Sequence, residues 1–116
     1  MSRQAAEQRG RKAETLACWY LRLKGWRILA RRARVRGGEV DIVARRGRVI
    51  AFIEVKARAS EAECGMALDA YRLRRVAMAA EQLAPRFQRL GDDIRIDAIF
   101  VVPGRWPSHL ANVWLG

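Results

Sequence analysis

The chain has 116 residues, the size of one domain, and can bury a core without disulfide or metal staples. Lys and Arg number 23 against 12 Asp and Glu, for a formal net charge of +11, and only Lys12, Lys24 and Lys56 are lysines. That excess points to a polyanionic partner, nucleic acid ahead of an anionic membrane surface. A hydrophobic fraction of 51% argues against disorder, and no apolar run approaches the ~20 residues of a membrane span.

Residues 1–9 read as a flexible, basic lead-in to a single domain over 10–116. The opening is polar and lacks the apolar centre of a secretory signal, so a cytoplasmic location is expected. From Ala13, the apolar positions Ala13, Leu16, Ala17, Tyr20 and Leu21 recur at helical spacing, and Gly25 is a natural stop. Residues 26–35 alternate as a strand, and Arg36, Gly37 and Gly38 form a turn. Residues 39–44 and 49–57 form a hairpin with Gly47 in its turn. A four-residue turn pairs Asp41 with Phe52, and a two-residue slip sets Asp41 opposite Glu54 instead. The reverse faces, Val40-Ile42-Ala44 and Ala51-Ile53-Val55-Ala57, are apolar and belong to the core.

Residues 59–68 are expected as a loop. Asp69 is a good N-cap for a second helix carrying Leu73, Val76, Ala77, Ala80 and Leu83, which Pro85 ends or kinks. A strand over 94–102 follows, then a loop over 103–107 and a short strand over 110–115. The order α-β-β-β-α-β(-β) predicts a mixed α/β domain, a sheet flanked by helices. Cys18 and Cys64 have no metal-ligand spacing and read as reduced thiols. Trp26 reads as core. Trp106, beside Arg105 in a Gly/Pro loop, is the better candidate for stacking a base, with packing as the leading alternative. His109 has no histidine partner and reads as structural, and Arg95 and Asp97 share a face and pair.

The acidic residues carry the chemistry. Phosphodiester hydrolysis needs a cation to neutralise phosphoryl oxygens and activate water. Magnesium takes hard oxygen ligands, and one or two carboxylates plus substrate suffice. Glu54 and Lys56 project from one strand face, and Asp41 approaches on the neighbouring strand, with Glu39 as a further candidate ligand. Two carboxylates ~4 Å apart at an effective dielectric of ~20 repel by about 4 kcal/mol, so the patch is costly without a cation. A salt-bridged exposed strand is the plainer explanation of Glu-x-Lys alone. The basic residues near the patch, Arg31, Arg32, Arg34, Arg36, Arg45, Arg46, Arg48 and Arg58, are candidate phosphate contacts, with a solvated face as the alternative.

Residues 10–29, 38–43 (GEVDIV) and 52–58 (FIEVKAR) resemble the small bacterial YraN-type family, which is itself similar to archaeal Holliday-junction resolvases and restriction-endonuclease-like nucleases. The resemblance implies a restriction-endonuclease-like core. It implies Asp41 and Glu54 as ligands of Mg²⁺ or Mn²⁺, with the Val55 backbone carbonyl as another, and Lys56 as the catalytic lysine. Glu14 matches a first-helix glutamate near that metal, with a solvated position as its alternative. The chain departs from the family pattern at Arg46, where relatives carry an acidic turn residue, and at Arg74 and Arg75, where they carry a lysine. The expectation is a metal-dependent endonuclease-like protein acting on DNA, including branched or repair intermediates, as a homodimer on its substrate. The alternatives are a non-catalytic nucleic-acid-binding module on the same fold and a basic scaffold for RNA, ribosome or anionic lipid.

Overall fold

A computed structural model describes residues 2–114. Its elements run α1 (Arg3–Leu23), β1 (Arg27–Val35), β2 (Gly38–Arg46), β3 (Val49–Ala57), α2 (Glu61–Ala67), α3 (Ala70–Phe87), β4 (Asp93–Val101) and β5 (Ser108–Leu110). The strands form one sheet in the order β1-β2-β3-β4-β5. The β3–β4 pair is parallel and the other three are antiparallel. A crossover through α2 and α3 makes the parallel pair possible. This mixed sheet with helices on both faces is compatible with a restriction-endonuclease-like core.

Each sheet face is apolar because each carries a helix. On one side, Ala17, Cys18 and Leu21 of α1 pack on Ile42, Ala44, Ala51, Ile53 and Ile99. On the other, Val76, Ala79, Ala80 and Leu83 of α3 pack on Val40, Val43, Ile50 and Phe52. α2 adds Cys64 against Ala98, Phe100 and Val102. Both cysteines are free and buried.

Several expectations shift. Residues 3–9, expected to be flexible, are the first turns of α1, where the Ser2 hydroxyl accepts from the Ala5 N–H. Met1 lies outside the described residues. The buried stripe of α1 runs through Ala13, Ala17, Cys18 and Leu21, whereas Leu16 stands 43% exposed. The loop expected over 59–68 contains α2. Ser60 is its N-cap: the Glu63 N–H donates to the Ser60 hydroxyl, which donates to the Glu63 carboxylate. Asp69 caps α3 as expected, but the helix continues past Pro85 to Phe87. The last strand is Ser108–Leu110 and not 110–115, and residue 115 lies outside the described residues.

Gly38 sets how closely α3 approaches β2. A Cβ there would run into the Arg75 carbonyl oxygen and come within 2.9 Å of the Ala79 nitrogen, both backbone atoms that cannot swing away. Gly38→Ala is therefore expected to destabilise the fold by about 1–3 kcal/mol, as overpacked sites do. Chemical denaturation would measure it, and an unchanged midpoint would mean that α3 shifts freely.

Candidate active site

The hairpin turn is tighter than expected. Arg46 pairs with Val49, leaving a two-residue turn with Gly47 first at φ 61°, where a type II′ turn demands glycine. The register therefore slips by two residues from the Asp41–Phe52 pairing. Pairing runs to Ile42–Ile53, and one step further sets Asp41 opposite Glu54.

At that step the strand alternation breaks. On β1, Arg31 pairs with Ile42 and Ala33 with Val40, so Arg32 and Asp41 are skipped, with Arg32 at φ 52°. Val40 consequently packs beneath α3 while Ile42 and Ala44 pack beneath α1. The apolar face expected through Val40, Ile42 and Ala44 is thus divided between the two layers. Asp41 is left at the fork between β2 and β3, where its carboxylate accepts the Val55 N–H at 2.7 Å. That bond satisfies a backbone donor that the ladder no longer reaches and fixes Asp41 beside Glu54.

Glu54 and Lys56 are both buried, with Lys56 Nζ 4.0 Å from Glu54 Oε2. Burial pushes the Glu54 carboxyl up to about 9, helped by a hydrogen bond shared with Asp41 and by its charge, while Lys56 and Arg72 pull the other way. Two crowded carboxyls with too little positive charge beside them leave room for a cation.

A cleft of about 560 Å³ opens over this point and gathers Glu14, Glu39, Asp41, Glu54, Val55 and Lys56. Glu14 comes from the middle of α1, and its Oε1 accepts from Arg32 Nε at 2.8 Å. Glu39 stays at the rim, 3.7 Å from Arg34. Glu14, Glu39, Asp41 and Glu54, the acidic site candidates from the sequence, therefore line one cleft together with Lys56. Asp41, Glu54 and the Val55 carbonyl are hard oxygen donors suited to Mg²⁺ or Mn²⁺. Among the described residues, no group of three or more His, Cys, Asp or Glu side chains is placed to hold a metal ion. An ion here would complete its shell with the Val55 carbonyl, water and substrate phosphate.

The arginines divide. Arg32 and Arg34 line the adjoining pocket and Arg58 the cleft itself. Arg31 donates to the Thr15 hydroxyl, and Arg36, exposed at the turn before β2, lines neither cavity. Arg45 is removed from the candidate phosphate contacts. It is buried, and its guanidinium donates to both Asp92 carboxylate oxygens and to the Phe87 and Gly47 carbonyls. The Arg45 bonds to Asp92, with one from the Arg89 N–H, hold the Asp92 carboxyl down at about 2. Arg46 stacks over Trp26 at 4.7 Å, and Arg46 and Arg48 sit at the hairpin turn, away from the cleft. The sequence reading missed Arg9, Arg11 and Arg72, which line the cleft or its neighbour from α1 and α3. Their position depends on helix packing rather than on any local motif. His109 and Arg95 both bind Asp97, so the structural reading of these three residues holds.

No helix among the described residues is long and apolar enough to cross a membrane. Residues 13–101 match the model of a family described as "Uncharacterised protein family UPF0102". A UPF0102 protein of Sphingopyxis alaskensis is 62% identical over 98% of both chains. One of Rhizorhabdus wittichii is 54% identical over 98% of this chain and 97% of its own. One of Erythrobacter litoralis is 51% identical over 98% of both. With the match covering most of the chain and these identities over nearly its whole length, the chain belongs to the UPF0102 family.

Proposed function

We propose that this protein is a Mg²⁺- or Mn²⁺-dependent endonuclease that binds DNA, branched or repair intermediates included, and hydrolyses phosphodiester bonds. The observation that carries this reading is the convergence of Asp41, Glu54 and Lys56 at the β2–β3 fork, inside a cleft also lined by Arg9, Arg58 and Arg72. The net charge of +11 suits a polyanionic substrate.

Asp41, Glu54 and the Val55 carbonyl would hold the cation, which when bound neutralises phosphoryl oxygen charge and lowers the pKa of a water. Lys56 donates to a phosphoryl oxygen as charge builds on it. Glu14, held by Arg32, accepts a hydrogen bond from the attacking water and orients it. Arg9, Arg58 and Arg72 bind flanking phosphates. A homodimer on DNA would allow two strands to be cut symmetrically. The direct test is incubation with plasmid and with branched DNA, in Mn²⁺ and in EDTA. Cleavage only with metal is expected, and binding without cleavage of any substrate would leave a binding module instead.

A second test needs no substrate. The Glu54 carboxyl is raised on folding, so its favourable contribution is complete below the ordinary value of 4.5 and is lost as pH climbs toward 9. Without metal, Glu54→Gln is therefore expected to be more stable than wild type at pH 8, by on the order of 1 kcal/mol after solvent screening. The advantage should shrink toward pH 5. Millimolar Mn²⁺ should stabilise wild type and leave Glu54→Gln unchanged. Thermal melts would show both effects. A wild type indifferent to metal, with Glu54→Gln the less stable, would reduce the site to an ion pair.

A further inference from the structure

The cleft does not end at Arg58. Arg9, Ala13, Ala57, Arg58 and Ala59 also line a second groove of about 520 Å³, which runs between α1 and the loop after β4. That groove has an apolar floor, Leu16, Val101 and Val102 among its residues, and its charged residues are Arg9, Lys12, Arg58 and Arg105, with no acid. One residue beyond Arg105, Trp106 stands 76% exposed. Its ring lies 6.4 Å from that of Tyr20, at 48°. Tyr20 and Trp106 form the walls of the next hollow, with Leu23 and Lys24. On the outer face of α1, Trp19 is 60% exposed beneath the Arg22 guanidinium. Lys12, Leu16, Trp19 and Leu23 recur at helical spacing and are all exposed.

We infer that this groove carries an unpaired single strand of nucleic acid away from the active-site cleft, its phosphates on the cations and a base on Trp106. The inference rests on the nuclease-type reading of the cleft. A row of cations leading to an exposed aromatic ring suits a strand whose bases are free to stack, whereas a duplex hides those faces. A second copy of this chain would bring like charges together at the four basic residues lining the groove. From Arg9 to Tyr20 the groove and the hollow beyond it follow α1 for about 16 Å. That is the length of about five nucleotides at the spacing of a helical strand.

The test compares a blunt duplex with duplexes bearing a dT tail of about six nucleotides at the 3′ or the 5′ end, by fluorescence anisotropy in EDTA. Wild type is expected to bind at least one tailed duplex about tenfold more tightly than the blunt one. Trp106→Ala and Arg105→Ala should each bring that advantage within about twofold and leave blunt-duplex affinity unchanged. Both positions are exposed in a loop, so folding is not at risk, and thermal melts would verify it. Equal affinity of wild type for all three duplexes would overturn the inference. So would variants that keep the tail advantage, or a Trp106→Ala protein that changes only its oligomeric state. Glu54→Gln should retain the tail preference while cutting nothing. A tail preference in a wild type that never cleaves would therefore fault the nuclease reading and spare the groove.

Discussion

Asp41→Asn, Glu54→Gln and Lys56→Ala are each expected to lower metal-dependent cleavage by a hundredfold or more, with most DNA affinity retained. Asp41 has two tasks at the strand fork. One carboxylate oxygen holds the Val55 N–H, so Asp41→Asn could preserve the local backbone by presenting an amide oxygen there. What that variant loses is the charge that a cation needs. Glu54 sits buried against Lys56, and Glu54→Gln keeps the shape of the side chain while removing the same charge. On the proposed reading Lys56→Ala removes a donor to the phosphoryl group, a transition-state contact, so kcat should fall more than KM rises. Affinity should persist because Arg9, Arg58 and Arg72 still line the cleft. Single-turnover cleavage and binding isotherms of the four proteins would decide the matter. Activity surviving in any two variants would remove these residues from the reaction.

The site was more legible in the sequence than the path of the chain around it. Gly-Glu-Val-Asp and Glu-Val-Lys pointed to residues that the fold does bring into one cleft, because strand periodicity puts Glu54 and Lys56 on one face whatever the register. The register itself depended on turn length, and a run of three arginines around Gly47 does not reveal where the strand ends. The break at Asp41 was invisible, since it needs Arg32 in the left-handed region, a conformation that nothing in an arginine announces. α2 was readable in principle, because Ser60-x-x-Glu63 is a capping-box spacing. Gly65 and two flanking acids made the segment look like a loop. Arg45 could not be told from Arg46 by composition. Only the turn between α3 and β4, which brings Asp92 back to Arg45, buries one and leaves the other at the surface.

Asp97→Ala is expected to destabilise the protein by about 3–5 kcal/mol, the range for leaving buried charge uncompensated. Asp97 is fully buried in β4, under α1. Burial drives its carboxyl upward, but hydrogen bonds from His109, Arg95 and the Asn112 N–H outweigh that and leave it below the ordinary range. Arg95 reaches it through two bonds of 2.9 and 2.8 Å, His109 through one of 2.7 Å and Asn112 through one of 2.9 Å. One carboxylate therefore ties β4 to β5 and to the segment that follows. It also seats Arg95 over the Trp26 ring, 5.6 Å from its centroid. Removing it strands a guanidinium, an imidazole and a backbone N–H, two of them on β5 and the segment after it. A folded value below the unfolded one means that the contribution is present above the ordinary carboxylate range and lost as pH falls through the folded value. Asp97→Ala should thus lower the melting temperature at pH 7 by roughly 15 °C, and the gap to wild type should narrow only in acid. Asp97→Asn keeps acceptor oxygen on one side and should cost about half as much. Because Asp97 does not line the cleft, cleavage per folded molecule at low temperature should match wild type in both variants. A variant that melts normally would mean that β5 is held by its backbone bonds alone, and one that melts normally yet fails to cleave would place Asp97 in the chemistry.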